Sequence, residues 1–283
     1  MNNDRIQEIL DLMEEARLDY FLISDPQSIA YCTGYYNDPH ERMFVFMISK
    51  HGNHTLFMND LFYLEHDLDV NIVWHKDGQD AIQTIVDEMH FPGRIGIDKN
   101  WASHFLLDLM KKLPDAKYIN ASPCVDLVRM KKDLQEQVLM IESSKINDAV
   151  MEEIIPFIQE GVTEKQLAKK LDELFFNHHS TCYGAIVAFG KNAADPHHEN
   201  DDTPLRKGDC VLIDMGCVYK GYCSDMTRTF FYEGILEEEI KVYEIVKKAN
   251  EAAEAMIKPG VKLSDIDKCA RKVISDEGYG KYF

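Results

Sequence analysis

The chain has 283 residues, 45% hydrophobic and 10% aromatic, enough for one large or two ordinary domains with true cores. Its 31 basic and 49 acidic residues give a formal charge of −18, with no local Lys/Arg cluster to offset it, which argues against nucleic acid and anionic membranes as partners. Seven cysteines, an odd number without CxxC spacing and mostly inside apolar segments, read as reduced core thiols and place the protein in the cytoplasm.

The N-terminal MNNDRIQEILDLMEEARLDY is acidic throughout and has no continuous apolar stretch. It predicts an amphipathic helix with Ile6, Ile9, Leu10 and Met13 inward, not a signal peptide. No apolar run approaches membrane-spanning length. A strand YFLIS (20–24) follows, then a loop through DPQSIAYCTGYYNDPHER. Strands RMFVFMIS and HTLFMN flank the turn KHGN. Next come a strand NIVWH, a helix over 79–90, a strand RIGID, a helix over 101–113 and a strand KYINA. This alternation predicts an α/β domain over residues 1–125, and it contains no Gly-rich phosphate loop.

From Asp126 the pattern becomes a long helical stretch with Leu134, Val138 and Ile141 on one apolar face, marking a second domain over 126–283. Gly161 ends that stretch, and Thr163 with Gln166 offers a capping-box start to TEKQLAKKLDELFF. EGVTEKQLAKKLDELFF (160–176) aligns without gaps to PGVKLSDIDKCARKVIS (259–275), matching Gly161 to Gly260 and Leu174 to Val273. The first copy is followed by sheet-forming segments and the second by the end of the chain, so the domain reads as unfinished.

CVLIDMGCVY and YCSDMTRTFFY are rich in β-formers and flank Lys220-Gly221, a two-residue hairpin turn with glycine supplying a positive φ. That turn pairs Tyr219 with Tyr222, hence Gly216 with Asp225 and Asp214 with Thr227. Asp214 and Asp225 then share a face as diagonal neighbours, ~7–8 Å apart at the backbone, with Gly216 leaving the space between them open for one cation or a close pair. An alternative has one aspartate ending a strand and the other capping a turn. It leaves carboxylates repelling each other on a half-buried face, with Arg228 on the opposite side. Upstream, AFGKNAADPHHEN (188–200) supplies His197 and His198, either as solvated loop residues or as donors to a developing oxyanion.

These residues carry a resemblance. The runs YGAIVAFGKNAADPHH, DCVLIDMGCVYKGYCSDMTRTF and KPGVKLSDIDKCARKVISDEGYGKYF resemble the pita-bread metallopeptidases of the X-Pro dipeptidase and aminopeptidase P branch. SIAYCTGYYNDPHER resembles the creatinase-like domain that precedes the catalytic domain there. The resemblance covers essentially the whole chain. It implies an α/β creatinase-like N-terminal domain plus an α+β pita-bread domain, and hydrolysis of X-Pro dipeptides by two divalent metals, manganese first and cobalt or zinc as alternatives. It assigns Asp214 and Asp225 as metal ligands, His197 as the non-ligand catalytic histidine, and Thr227 as the hydroxyl that holds a ligand carboxylate. The remaining ligands it implies, one His and two Glu, match no residue here, so the chain is expected to be a truncated form with little activity. A homodimer is expected, with Asp38, His40, Glu41 and Arg42 reaching toward the partner's site. Two alternatives stand beside this reading: a non-catalytic scaffold of the same fold, and a metal-free amidino hydrolase, which the clustered carboxylates disfavour.

Overall fold

The computed structural model describes residues 1–90 and 92–283. The chain divides into two units, Met1–Lys132 and Asp133–Phe283.

The first unit runs α1 (Asn3–Glu15), β1 (Tyr20–Ile23), α2 (Pro26–Thr33), β2 (Val45–Ser49), β3 (Thr55–Asn59), β4 (Asn71–His75), α3 (Ala81–Asp87), β5 (Arg94–Ile97), α4 (Ser103–Lys112), β6 (Lys117–Asn120) and α5 (Ser122–Met130). Its six strands form one sheet in the order β4-β3-β2-β1-β5-β6. The β1–β2 and β2–β3 pairs are antiparallel, and the others are parallel. Because side chains alternate along β1, Phe21 and Ile23 enter one core with Ile6 and Ile9 of α1 and Val125 and Val128 of α5. Tyr20 and Leu22 enter the opposite core with Ile82 and Ile85 of α3 and Leu109 of α4. Helices thus cover both faces, the arrangement a mostly parallel sheet requires.

The stretch expected as a continuous loop after β1 contains α2. Asp25 caps it, its carboxylate accepting from the Ser28 amide at 2.9 Å, Pro26 opens it, and Gly34 closes it at φ +81°, a left-handed conformation glycine adopts without strain. The helical stretch expected from Asp126 is likewise two helices. Val125 and Val128 hold α5 in the first unit's core, and Asp133 starts a new helix through a reciprocal cap with Glu136. The units therefore divide after Lys132, and not at 125/126.

The second unit contains α6 (Leu134–Ile154), α7 (Glu164–Asn177), β7 (Thr181–Cys182), β8 (Ile186–Phe189), β9 (Cys210–Tyr219), β10 (Tyr222–Phe231), α8 (Glu237–Glu254) and α9 (Leu263–Asp276). Strand β9 pairs with β10 along one edge, and with β7 and β8 in succession along the other. Val211, Ile213, Met215 and Cys217 project from its inner face into a core with Val150 and Ile154 of α6 and Leu171 and Phe175 of α7. Leu134, Val138 and Ile141, the residues expected to share one apolar face, are exposed, because α6 turns Ser143, Asn147, Val150 and Ile154 to the interior. Helices α7 and α9 begin and end 99 residues apart at both bounds, each preceded by a glycine in the left-handed region, Gly161 at φ +85° and Gly260 at φ +90°. The internal repeat is thus carried by matched helices, each following a longer one.

Candidate metal centre

The turn Lys220-Gly221 has both central residues at positive φ, +48° and +84°, as a type I′ hairpin requires. It pairs Tyr219 with Tyr222, Gly216 with Asp225 and Asp214 with Thr227. Asp214 and Asp225 consequently emerge on the outer face of the sheet, opposite the core-facing Ile213 and Met215. Asp214 is half-buried and Asp225 exposed. Thr227 donates its hydroxyl to Asp214 Oδ1 at 2.7 Å, fixing one carboxylate oxygen. Arg228 faces the other way and donates to the Thr227 carbonyl at 2.9 Å, so no arginine neutralises the pair from within the hairpin.

The space above Gly216 is not open, contrary to the sequence reading. Tyr183, from the segment after β7, lays its phenol there and donates to the Ser224 carbonyl at 2.7 Å. A Cβ on Gly216 meets the Tyr183 hydroxyl, its ring carbon and the Ser224 carbonyl well inside contact distance. Burial, then the charges of Asp225, Cys223 and Asp214, push the Tyr183 hydroxyl up to about 12. The glycine serves close approach of an aromatic ring, a contact between residues 33 positions apart that no local pattern announces.

His197 lies in the loop after β8. Its backbone amide donates to Asp195 Oδ1 at 3.0 Å and its ring is exposed. The neighbouring His198 turns inward and donates Nε2 to Glu164 Oε2 at 2.6 Å. Glu164, fully buried at the first position of α7, Asp201 and His198 form a group whose ligand atoms lie within 4.8 Å of one another. Its geometry is that of a hydrogen-bonded hub. Glu164 Oε1 accepts from the Phe189 amide at 2.9 Å and Asn192 Nδ2 at 3.0 Å, and Oε2 accepts from His198 and from the Asp201 amide at 3.1 Å. A cation entering here displaces donors that already saturate the carboxylate. The hydrogen bond to Glu164, outweighing the opposing effect of burial, raises the His198 pKa above its ordinary value. Glu164 was not a sequence candidate, since a Glu in the first helical turn reads as ordinary complement to the helix dipole. An open groove of ≈ 570 Å³ runs between α7 and this loop, bordered by Lys165, Lys169, Ile186 and His198. Ile186 is the β8 partner of Asp214.

In the first unit, Asp38 Oδ1 accepts from the His40 amide at 3.1 Å, and His40 sits at φ +50°. Arg42 donates Nε and Nη2 to Asp77 at 3.0 and 2.8 Å and Nη1 to Glu41 at 2.9 Å. Asn59 Nδ2 completes the clamp on Asp77 at 2.9 Å.

Residues 138–283 match the model of metallopeptidase family M24, and residues 5–131 match the creatinase/prolidase N-terminal domain. An uncharacterized peptidase of Staphylococcus aureus is 31% identical over 99% of this chain and 80% of its own length. The chain belongs to metallopeptidase family M24. Among solved M24-like structures, a prolidase from Thermococcus sibiricus is 30% identical, with TM-score 0.92 over 100% of this chain and 80% of that one. A dipeptidase from Pyrococcus horikoshii is 33% identical, with TM-score 0.89 over 99% and 80%. The architecture is therefore a creatinase-type N-terminal domain followed by the M24 pita-bread domain, and the protein is a peptidase whose family implies divalent metals.

The donor set bears on that metal. Two carboxylates on one strand face, one steadied by a hydroxyl, suit a hard divalent cation that completes its shell with water. Among the described residues no third His, Cys, Asp or Glu joins them in a ligand cluster. Asp214 and Asp225 alone do not fill the coordination of two ions.

Proposed function

We propose that this protein is a metal-dependent dipeptidase acting on X-Pro dipeptides, with Asp214 and Asp225 as carboxylate ligands, Thr227 holding Asp214, and His197 assisting catalysis. The observation that carries the reading is that the register of one hairpin puts both carboxylates on its outer face, with Thr227 bonded to Asp214. Its likeness to a prolidase and a dipeptidase supports the substrate class. Manganese is the first choice of ion, with cobalt or zinc as alternatives. By themselves Asp214 and Asp225 are expected to hold one ion. The reading places the protein in the cytoplasm, as its seven free thiols suit a reducing compartment, and as a homodimer. Asp38, His40, Glu41 and Arg42 are the proposed gating residues toward a partner, with Arg42 held between Asp77 and Glu41 within one chain.

Calorimetry with Mn²⁺ tests the ligands. About one ion per chain is expected, with loss of binding in both Asp214→Asn and Asp225→Asn, since each removes half of the charge that offsets the ion's desolvation. Proline release from a Leu-Pro dipeptide, compared with the metal-free chain, tests the reaction. Metal binding unchanged in both variants refutes the ligand assignment. Absence of any metal binding favours the scaffold alternative, which the incomplete donor set supports.

A further inference from the structure

His197 and His198 are consecutive, yet the structure gives them opposite situations. The Asp195 carboxylate accepts from the His197 amide at 3.0 Å and the Asp195 carbonyl from the His198 amide at 3.2 Å, so residues 195–198 form a tight turn. One ring goes to solvent and the other to Glu164. Glu164 then gathers the segment from both ends, through the Phe189 amide where β8 finishes and the Asp201 amide where the loop turns back to α7. The Thr203 and Asp201 carbonyls in turn accept from the first two amides of α7, at 3.3 and 3.2 Å.

We propose that Glu164 and His198 are positioning residues: a buried carboxylate at the start of α7 and the ring it binds fix the 189–203 loop, so that the adjacent His197 is presented for its part in peptide hydrolysis. The catalytic role of His197 rests on the proposed function, whereas the anchoring does not. Asp195 and Asp201 add negative charge around His198, and Lys165, Lys169, Asp172 and Glu199 border the groove beside it. The grip is therefore strongest when the imidazole is protonated and donates to an anionic partner.

The test uses the full chain. Amide exchange at Phe189 and Asp201 is expected to speed up about tenfold or more in Glu164→Gln, the scale of losing a hydrogen bond to a charged group. The His198 ring, followed by NMR, should titrate lower in that variant than in the parent. His198→Ala should loosen residues 195–201 likewise, and His198→Gln, whose amide still donates, should restore much of the protection. Since His198 is half-buried at 13% side-chain exposure, these two variants decide the matter if Glu164→Gln does not fold. A further readout, which a purely structural role leaves alone, is the broadening of the His197 ring resonance by Mn²⁺. It should differ between the parent and His198→Ala. Unaltered exchange in the folded variants, or identical broadening of His197 in both proteins, overturns the proposal. Mn²⁺ that broadens neither His197 nor the amides of Asp214 and Asp225 sinks the metal reading instead, and exchange alone then decides the anchor.

Discussion

Replacing Gly216 by Ala probes the centre most directly. The added methyl group collides with the Tyr183 hydroxyl and ring and with the Ser224 carbonyl. The first two can swing aside at the loss of the Tyr183–Ser224 hydrogen bond, worth ~0.5–1.5 kcal/mol. The third is backbone of the paired strand and yields only by moving the ladder, an overpacking cost of ~1–3 kcal/mol. Together these predict a loss of ~1.5–4.5 kcal/mol and a drop in melting temperature of at least ~3 °C for the second unit. Both tryptophans, Trp74 and Trp101, lie in the first unit, so their fluorescence follows that unit while far-UV circular dichroism records both. The expected result is a lowered second-unit transition in the dichroism with the fluorescence transition unmoved. Adding Tyr183→Ala should recover the share due to the phenol and leave the share due to the carbonyl. A Gly216→Ala chain within about 0.5 kcal/mol of the parent, the range of neutral surface changes, refutes the reasoning.

The reciprocal change, Gly96→Ala in β5, drives a methyl into Ala121, Leu18 and Phe21 and should lower the fluorescence transition by a comparable ~1–3 kcal/mol, leaving the second unit alone. Asp19 sits below the usual carboxylate range: burial pulls it up, but Lys50 and the Arg94 and Gly93 amides outweigh that. Its stabilising contribution is present above the ordinary carboxylate pKa and lost as pH falls through the lowered one. Asp19→Asn should therefore flatten the acid limb of first-unit stability in a pH series of urea melts. His198 has the opposite sign. Its raised pKa contributes stability fully present below the ordinary imidazole value, ~6.5, and lost as pH rises through the folded one. His198→Gln should remove that slope from the second-unit transition.

The hairpin that carries the two aspartates was legible because period-2 alternation and a two-residue turn leave one register, and the side of each residue follows from counting. The first unit's strands were legible instead as short apolar runs bounded by turns, β1, β2 and β3 being buried along their whole length. Helix α2 was not, since its eight residues carry little amphipathic pattern, although Asp25-Pro26 and Gly34 mark its ends. On α6 the 3.6-residue period is real, but which face docks is decided by β9 and β10, and the stripe of Leu134, Val138 and Ile141 lost. Tyr183 over Gly216 and the four donors on Glu164 are tertiary facts between distant segments, invisible to any local window.

Cys223 stands directly across from Val218 and two residues before Asp225, on the same outer face as the carboxylates. It is the exposed one of the seven thiols, while burial pushes Cys182 and Cys210 up to about 11 and Cys32 to about 12, starving them of reactive thiolate. An alkylating dye added to the unaltered polypeptide should thus settle beside the acidic pair. Nature has left a ready attachment point for an optical reporter of whatever ion arrives there.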